Sequence, residues 1–197
     1  MREQPDLQVI SGRLERGEID SAEYLEQLMR FVAAQIGCAR AGLRLLVDGD
    51  HGRTLRCIAM YDVTQGRMIG APDISHADGG VYFEQLLRDG HVTATPTAST
   101  DAAFADYLES TGVSAVMDMS FSVNGVLYGA FSCEQIGTPV EWTQRQLQSL
   151  RKIASRASLT LMHRITMSVD TAPGALWESS TPNRLATMPM PLDSSKD

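Results

Sequence analysis

Apolar positions change their period along the chain, and the changes mark out its elements. Leu7, Ile10 and Leu14 recur at helical spacing behind Pro5, which predicts a short first helix weakened by Gly12 and ended by Gly17. Asp20 is placed to cap a second helix, with Glu23 three residues on as its capping-box partner. Leu25, Leu28, Phe31, Val32 and Ile36 form the stripe of that helix, and Gly37 supplies a left-handed terminal residue. From Ala39 to Val47 the period becomes two: Ala41, Leu43, Leu45 and Val47 alternate with Gly42, Arg44 and Leu46, as on a strand. Asp48-Gly49-Asp50 and Gly52 turn the chain into a second strand, Thr54 to Tyr61.

The middle of the chain is broken into short pieces. Gln65-Gly66 and Ala71-Pro72 leave brief extended segments around Met68 and Ile74. After Gly79-Gly80, Val81, Tyr82, Leu86 and Leu87 predict a short helix, and Val92 to Thr95 a short extended run. Ser99 or Thr100 then caps another helix with Phe104, Tyr107 and Leu108 inward and Gly112 past its end.

Two apolar runs of strand length follow between Ser114 and Glu134, joined by Asn124-Gly125. Such a pair favours a two-residue type I′ turn, which needs positive φ at both central positions. An unbroken register then sets Val123 opposite Val126, Phe121 opposite Tyr128, Met119 opposite Ala130, Met117 opposite Ser132 and Ala115 opposite Glu134. Asp118, Phe131 and Cys133 fall to the other face. Both faces are largely apolar, so the hairpin is expected inside a sheet that is covered on both sides.

The last helix is expected to start at Thr143, with Gln146 as reciprocal partner. Leu147, Leu150, Ala154, Ala157 and Leu161 recur at alternating spacings of three and four, a seam of coiled-coil type. Ile153 and Met162 widen it, so the helix is expected to lie on its own sheet while the seam partly meets a second copy of the chain. Beyond Met167 prolines mix with Ser, Thr and Asp without period, the pattern of a disordered tail. Trp177, Leu185, Met188 and Met190 could form a docking segment in it. The order of elements is that of an α+β fold: an antiparallel β-sheet with N- and C-terminal helices packed on one face and short helices and loops on the other. The expected units are a helical extension over 1–19, a domain over 20–165 and the tail over 166–197.

Composition narrows the function classes. A net charge of −7 with 17 basic residues argues against nucleic acid as principal partner. No apolar run is of membrane-span length, and the first residues carry no apolar signal segment, so a cytoplasmic protein is expected. Cys38, Cys57 and Cys133 form no CxxC arrangement and the four histidines are scattered, so neither a zinc site nor a disulfide framework is expected. Asp118 is the anomaly, a carboxylate within an apolar strand. Burial there requires a backbone N–H, an arginine such as Arg44 or Arg56, or a ligand.

Particular stretches, in this order, resemble the GAF domain family of sensor modules. "LRCIAMYD" at 55–62 resembles its second strand, "YFEQLL" at 82–87 its pocket-side helix, and "GVSAVMDMSF" at 112–121 its aspartate-interrupted strand. "NGVLYGAFSCEQIG" at 124–137 and "EWTQRQL" at 141–147 are similar to its last hairpin and the start of its final helix. The similarity is strongest to GAF domains that precede histidine-kinase or diguanylate-cyclase domains. Where the family often has His-Glu-His, this chain has Cys133-Glu134-Gln135. The Asn-Lys…Phe-Asp-Glu motif of cyclic-nucleotide-binding members is absent, and no cysteine stands where bilin-binding members place theirs.

The resemblance implies a non-catalytic regulatory domain, a dimer in signal transduction, sensing a small molecule between the sheet and the middle segment. It names no cofactor. The expected ligand-binding residues are Tyr61, Tyr82, Phe83, Met117, Met119, Ser132 and Glu134; the other reading of this set is core packing, with Glu134 in solvent. A homodimer is expected through Leu147, Leu150, Ala154, Ala157 and Leu161, with a signalling protein as a further partner. The alternatives are a ligand-free dimerisation or adaptor module and a thiol enzyme like free methionine-sulfoxide reductase. The enzyme needs an activated thiolate and a resolving thiol, which this cysteine pattern does not supply.

Overall fold

The computed structural model describes residues 6–49, 52–75, 80–97 and 102–169. The chain runs α1 (Leu7–Glu15), α2 (Ser21–Ile36), β1 (Arg40–Gly49), β2 (Gly52–Asp62), β3 (Arg67–Met68), β4 (Ile74–Ser75), α3 (Gly80–Asp89), β5 (His91–Ala94), α4 (Ala102–Thr111), β6 (Val113–Val123), β7 (Val126–Ile136) and α5 (Gln144–Val169). The strands form one antiparallel sheet in the order β3-β2-β1-β7-β6-β5, with β4 beside β2. The Asn124-Gly125 hairpin is therefore interior, as its two apolar faces require.

Local chemistry places the helices. The Asp20 carboxylate accepts the Glu23 N–H at 2.8 Å, and Gly37 ends α2 at φ 75°. Thr143 and Gln146 close a reciprocal cap on α5, with the Thr143 N–H donating to Gln146 Oε1 at 2.9 Å and the Gln146 N–H to Thr143 Oγ1 at 3.3 Å. Gln146 Nε2 also donates to the carbonyl of Ile36 at 2.9 Å, so one side chain caps the start of α5 and the end of α2. Ser99, Thr100 and the tail from 170, with Trp177, Leu185, Met188 and Met190, lie outside the described residues.

Helices α1, α2 and α5 cover one face of the sheet and α3 and α4 the other. On the first face Ile10, Leu14, Leu28, Val32, Leu43, Met117, Phe121, Phe131 and Leu150 share one core. The α5 seam belongs to it: Leu147, Leu150, Ala154, Ala157 and Leu161 are all buried within the protomer, as are Leu7, Ile10 and Leu14. This corrects the expectation of a subunit seam. The same spacing of three and four suits a helix lying on a sheet between two neighbours, and α1 and α2 are those neighbours. The outward face of α5 carries Gln148, Arg151, Lys152 and Arg156 instead.

The hairpin register also differs from expectation. Asn124 and Gly125 have φ 51° and 77°, and Val123 pairs with Val126 and Ser122 with Leu127. The pairing then slips: Phe121 opposes Gly129, leaving Tyr128 as an extra residue in a β-bulge. From there Met119 opposes Phe131, Met117 Cys133, Asp118 Ser132, Val116 Glu134 and Ala115 Gln135. A one-residue slip turns every later side chain over. Gly129 is required at this point, because a Cβ there would lie 2.0 Å from the Arg44 carbonyl oxygen of the adjacent strand.

Candidate functional site

Bulges aim the polar side chains. On β2 the register against β1 also slips, so that Leu43 opposes Ala59 but Arg44 opposes Cys57. The slip at Tyr128 turns Ser132 and Glu134 of β7 to the face under α3 and α4, which Arg44 of β1, opposite Ala130, and Asp118 of β6, opposite Ser132, share. All four are buried: Arg44 and Asp118 are 0 % exposed, Ser132 1 % and Glu134 3 %. Charges at such depth are costly unless partnered.

Each has partners. Asp118 accepts the Tyr82 hydroxyl at 2.6 Å and the Ser132 hydroxyl at 2.5 Å. Arg44 donates through Nη1 to the carbonyl of Pro72 and through Nη2 to the Tyr107 hydroxyl, both at 2.6 Å, and its Nη2 lies 3.6 Å from Glu134 Oε1. Arg44 Nε has no hydrogen-bond partner among the described residues. Arg40 holds Asp62 at 2.9 Å and lies 4.0 Å from Glu134. Tyr82, Phe104 and Tyr107 stack in sequence, with ring centres 4.4 and 5.8 Å apart, and join the Asp118 end of the cluster to the Arg44 end.

Burial pushes the carboxyls of Asp118 and Glu134 above their ordinary range; for Asp118 the two hydroxyls and Arg44 offset this in part, for Glu134 chiefly Arg44. Burial works to deprotonate Arg44, but Tyr107, Cys57, Glu134 and Asp118 outweigh it and keep the guanidinium charged. Burial also pushes up the thiols of Cys57 and Cys133.

An open cleft of about 390 Å³ adjoins this cluster, lined by Arg40, Gln65, Arg67, Pro72, Tyr107, Thr111 and Glu134, with Ile69, Gly70 and Ala71 between. All three groups that meet the Arg44 guanidinium (Pro72, Tyr107 and Glu134) thus line the cleft. Arg44 pins its walls together from below, linking the β3–β4 connection, α4 and β7. The volume falls in the range of small-molecule sites, roughly 300–1,000 Å³.

Of the residues expected to line a pocket, Tyr82, Phe83, Ser132 and Glu134 lie on this face. Tyr61, Met117 and Met119 do not. The bulge at Tyr128 places the two methionines in the core under the helices, and Tyr61 lies beneath Arg30 of α2, 5.7 Å from guanidinium to ring centre. Tyr82 and Phe83 are core residues on the buried side of α3, 1 % exposed each, and only Glu134 of the set reaches the cleft. Asp118 takes hydroxyls rather than an arginine as direct partners, and Arg56 pairs with Asp73 at 3.8 Å. Arg40, Gln65, Arg67 and Tyr107 were not expected at the site. The usable signal was electrostatic: two acids on the hairpin, Asp118 and Glu134, demand a cation from the strand beside them, and Arg44 is in that strand.

The GAF domain family's sequence profile matches residues 20–161. The chain belongs to the GAF domain family. Among solved structures it is similar to the chromophore-binding domain of the Stigmatella aurantiaca bacteriophytochrome, at 18% identity and a TM-score of 0.60, covering 79% of this chain and 58% of that one. It is also similar to the phycocyanobilin-bound GAF domain of a cyanobacterial phytochrome, at 12% identity and TM-score 0.63, covering 81% and 95%. The Thermosynechococcus elongatus PixJ GAF domain matches at 14% identity and TM-score 0.59, covering 87% and 97%. The chain spans little more than half of the Stigmatella chain, and at these identities the likeness is one of fold. No curated protein matches by sequence. Among the described residues no helix is long and apolar enough to cross a membrane, and no cluster of His, Cys, Asp or Glu is placed to hold a metal ion.

Proposed function

We propose that the chain is a non-catalytic, cytoplasmic sensor domain in signal transduction that binds a small molecule in the cleft over Arg44. One observation carries the reading: a fully buried arginine spends its hydrogen bonds on Pro72 and Tyr107, two groups that form the walls of an open cleft. Buried ionised networks stabilise little compared with apolar packing of the same volume, and perturbed groups gather at functional sites. A ligand that draws on Tyr107 or Glu134 alters the bonds of Arg44, and through them the seating of α4 and the β3–β4 connection. That is a route from occupancy to shape.

The bilin of the cyanobacterial relative is a less suitable occupant here. Tyr82, Phe83, Leu86, Phe104 and Leu108 fill the space between the sheet and α3 and α4, leaving the cleft only at its margin. The raised thiols of Cys57 and Cys133 run against an activated thiolate, which supports the non-catalytic reading. The test is a thermal-shift screen of the full chain with nucleotides, amino acids, aromatic acids and tetrapyrroles. A ligand present at about 100 times its Kd adds about 2.7 kcal/mol and raises the melting temperature. Tyr107→Phe should blunt that rise; a flat response to every class sinks the reading in favour of a ligand-free adaptor.

A further inference from the structure

We infer that the cleft takes a small organic acid carrying an amino or hydroxyl donor close to its carboxylate, an inference that rests on the sensor reading above. The charges of the cleft oppose those of the whole chain. Overall net charge is −7, yet the charged groups lining the cleft are Arg40, Arg67 and Glu134, with Arg44 behind them. Glu134 is itself held toward its neutral form by burial. A concave site of local positive potential on an acidic protein selects an anion from solution.

The two guanidinium groups are not equivalent. Arg40 is committed to Asp62 at 2.9 Å. Arg67 has no carboxylate partner among the described residues; its Nη2 donates to Gln65 Oε1 at 2.7 Å, which steadies the group and leaves the rest of its donor fork free. A planar fork of that kind matches a carboxylate through two parallel hydrogen bonds. At the floor the Tyr107 oxygen already accepts from Arg44, so its own proton is available to the cleft. Glu134 presents a carboxyl beside it, a natural acceptor for an ammonium or hydroxyl group. Inorganic phosphate suits the site less well, because the one uncommitted guanidinium leaves its second negative charge without a partner.

The test uses the full chain, calorimetry, and matched probes: the protein amino acids with lactate and malate, set against the corresponding amides, and inorganic phosphate. At least one acid should bind, its amide should bind at least about tenfold more weakly, and Arg67→Gln should lower affinity for the acid by about tenfold or more. Arg67→Gln replaces a surface side chain, so its melting temperature without ligand should stay that of the parent chain. Glu134→Gln should weaken binding of the amino or hydroxy acid more than that of the same acid lacking the donor. An amide that binds as well as its acid, an unchanged affinity in Arg67→Gln, or phosphate as the preferred probe overturns the inference. If the acids fail while a nucleotide or tetrapyrrole from the wider screen binds, the inference falls and the sensor reading stands; if nothing binds, both fall.

Discussion

The two faces of the sheet are built on different principles from the same strands. Under α1, α2 and α5 the strands contribute Leu43, Met117, Phe121 and Phe131, and the stability of that face is burial of apolar area. Under α3 and α4 alternate positions of those strands contribute Arg44, Asp118, Ser132 and Glu134 amid Val116, Ala130 and the aromatic side chains. The first face is filled by one apolar cluster; the second has a cleft at its margin. A sheet can thus hold its scaffold and its variable chemistry one residue apart, because successive side chains point to opposite sides. Core packing is non-directional and tolerates exchange of similar volumes, whereas the polar face depends on particular bonds.

Substitutions on each face test that contrast. Arg44→Met should cost most, about 3–5 kcal/mol in urea unfolding, because Glu134 is left buried with only the more distant Arg40. Adding Glu134→Gln should recover much of the loss; a cost near zero for Arg44→Met would mean the polar face is no network. Leu28→Ala, in the apolar face at 0 % exposure, should cost about 3 kcal/mol while leaving ligand affinity unchanged. Weakened affinity there would show that the two faces are coupled. Thr143→Ala removes the cap of α5 and should cost about 1 kcal/mol, read from the same unfolding curves.

Acidity gives the smallest effect and a sign. Asp118 and Glu134 have pKa values raised in the folded chain, so the folded state retains protons that the unfolded state releases. Their contribution is full below the ordinary carboxylate range and is lost as pH rises through their folded values. Asp62 behaves oppositely. Desolvation disfavours its charge, but the Arg40 hydrogen bond and the Gln65 N–H outweigh it and hold its pKa low, so its contribution disappears as pH falls. Asp118→Asn should therefore flatten the fall in stability that the parent chain shows in the window above the ordinary carboxylate range. An unaltered slope would mean that Asp118 does not titrate in that window.

Much of the architecture was legible because its signals are local. The Asp20 and Thr143 caps, the Gly37 terminus and the Asn124-Gly125 turn each rest on a few neighbouring residues, and each stands where the sequence placed it. What could not be read was which way β7 faces. The slip at Tyr128 arises where the turn geometry meets the packing of both sheet faces, and nothing in Val126-Leu127-Tyr128 announces it. The α5 seam misled for a related reason: a helix meeting two helices and a sheet shows the periodicity of one meeting a twin. Arg44 was named only as one of two candidate arginines for Asp118; its bonds to Pro72, Tyr107 and Glu134 were hidden, since an arginine alternating with Leu43 and Leu45 reads as the solvent side of a strand.

The spare residue in β7 also governs how the strand can change in length. Without Tyr128, Phe121 would still oppose Gly129 and Asp118 would still oppose Ser132, because the pairing already skips that position. One more paired residue would instead rotate Ser132 and Glu134 to the face under α1, α2 and α5 and leave Arg44 without its acid. Shortening by one should be silent to the cleft and lengthening by one should abolish it, an asymmetry for deletion and insertion variants to display.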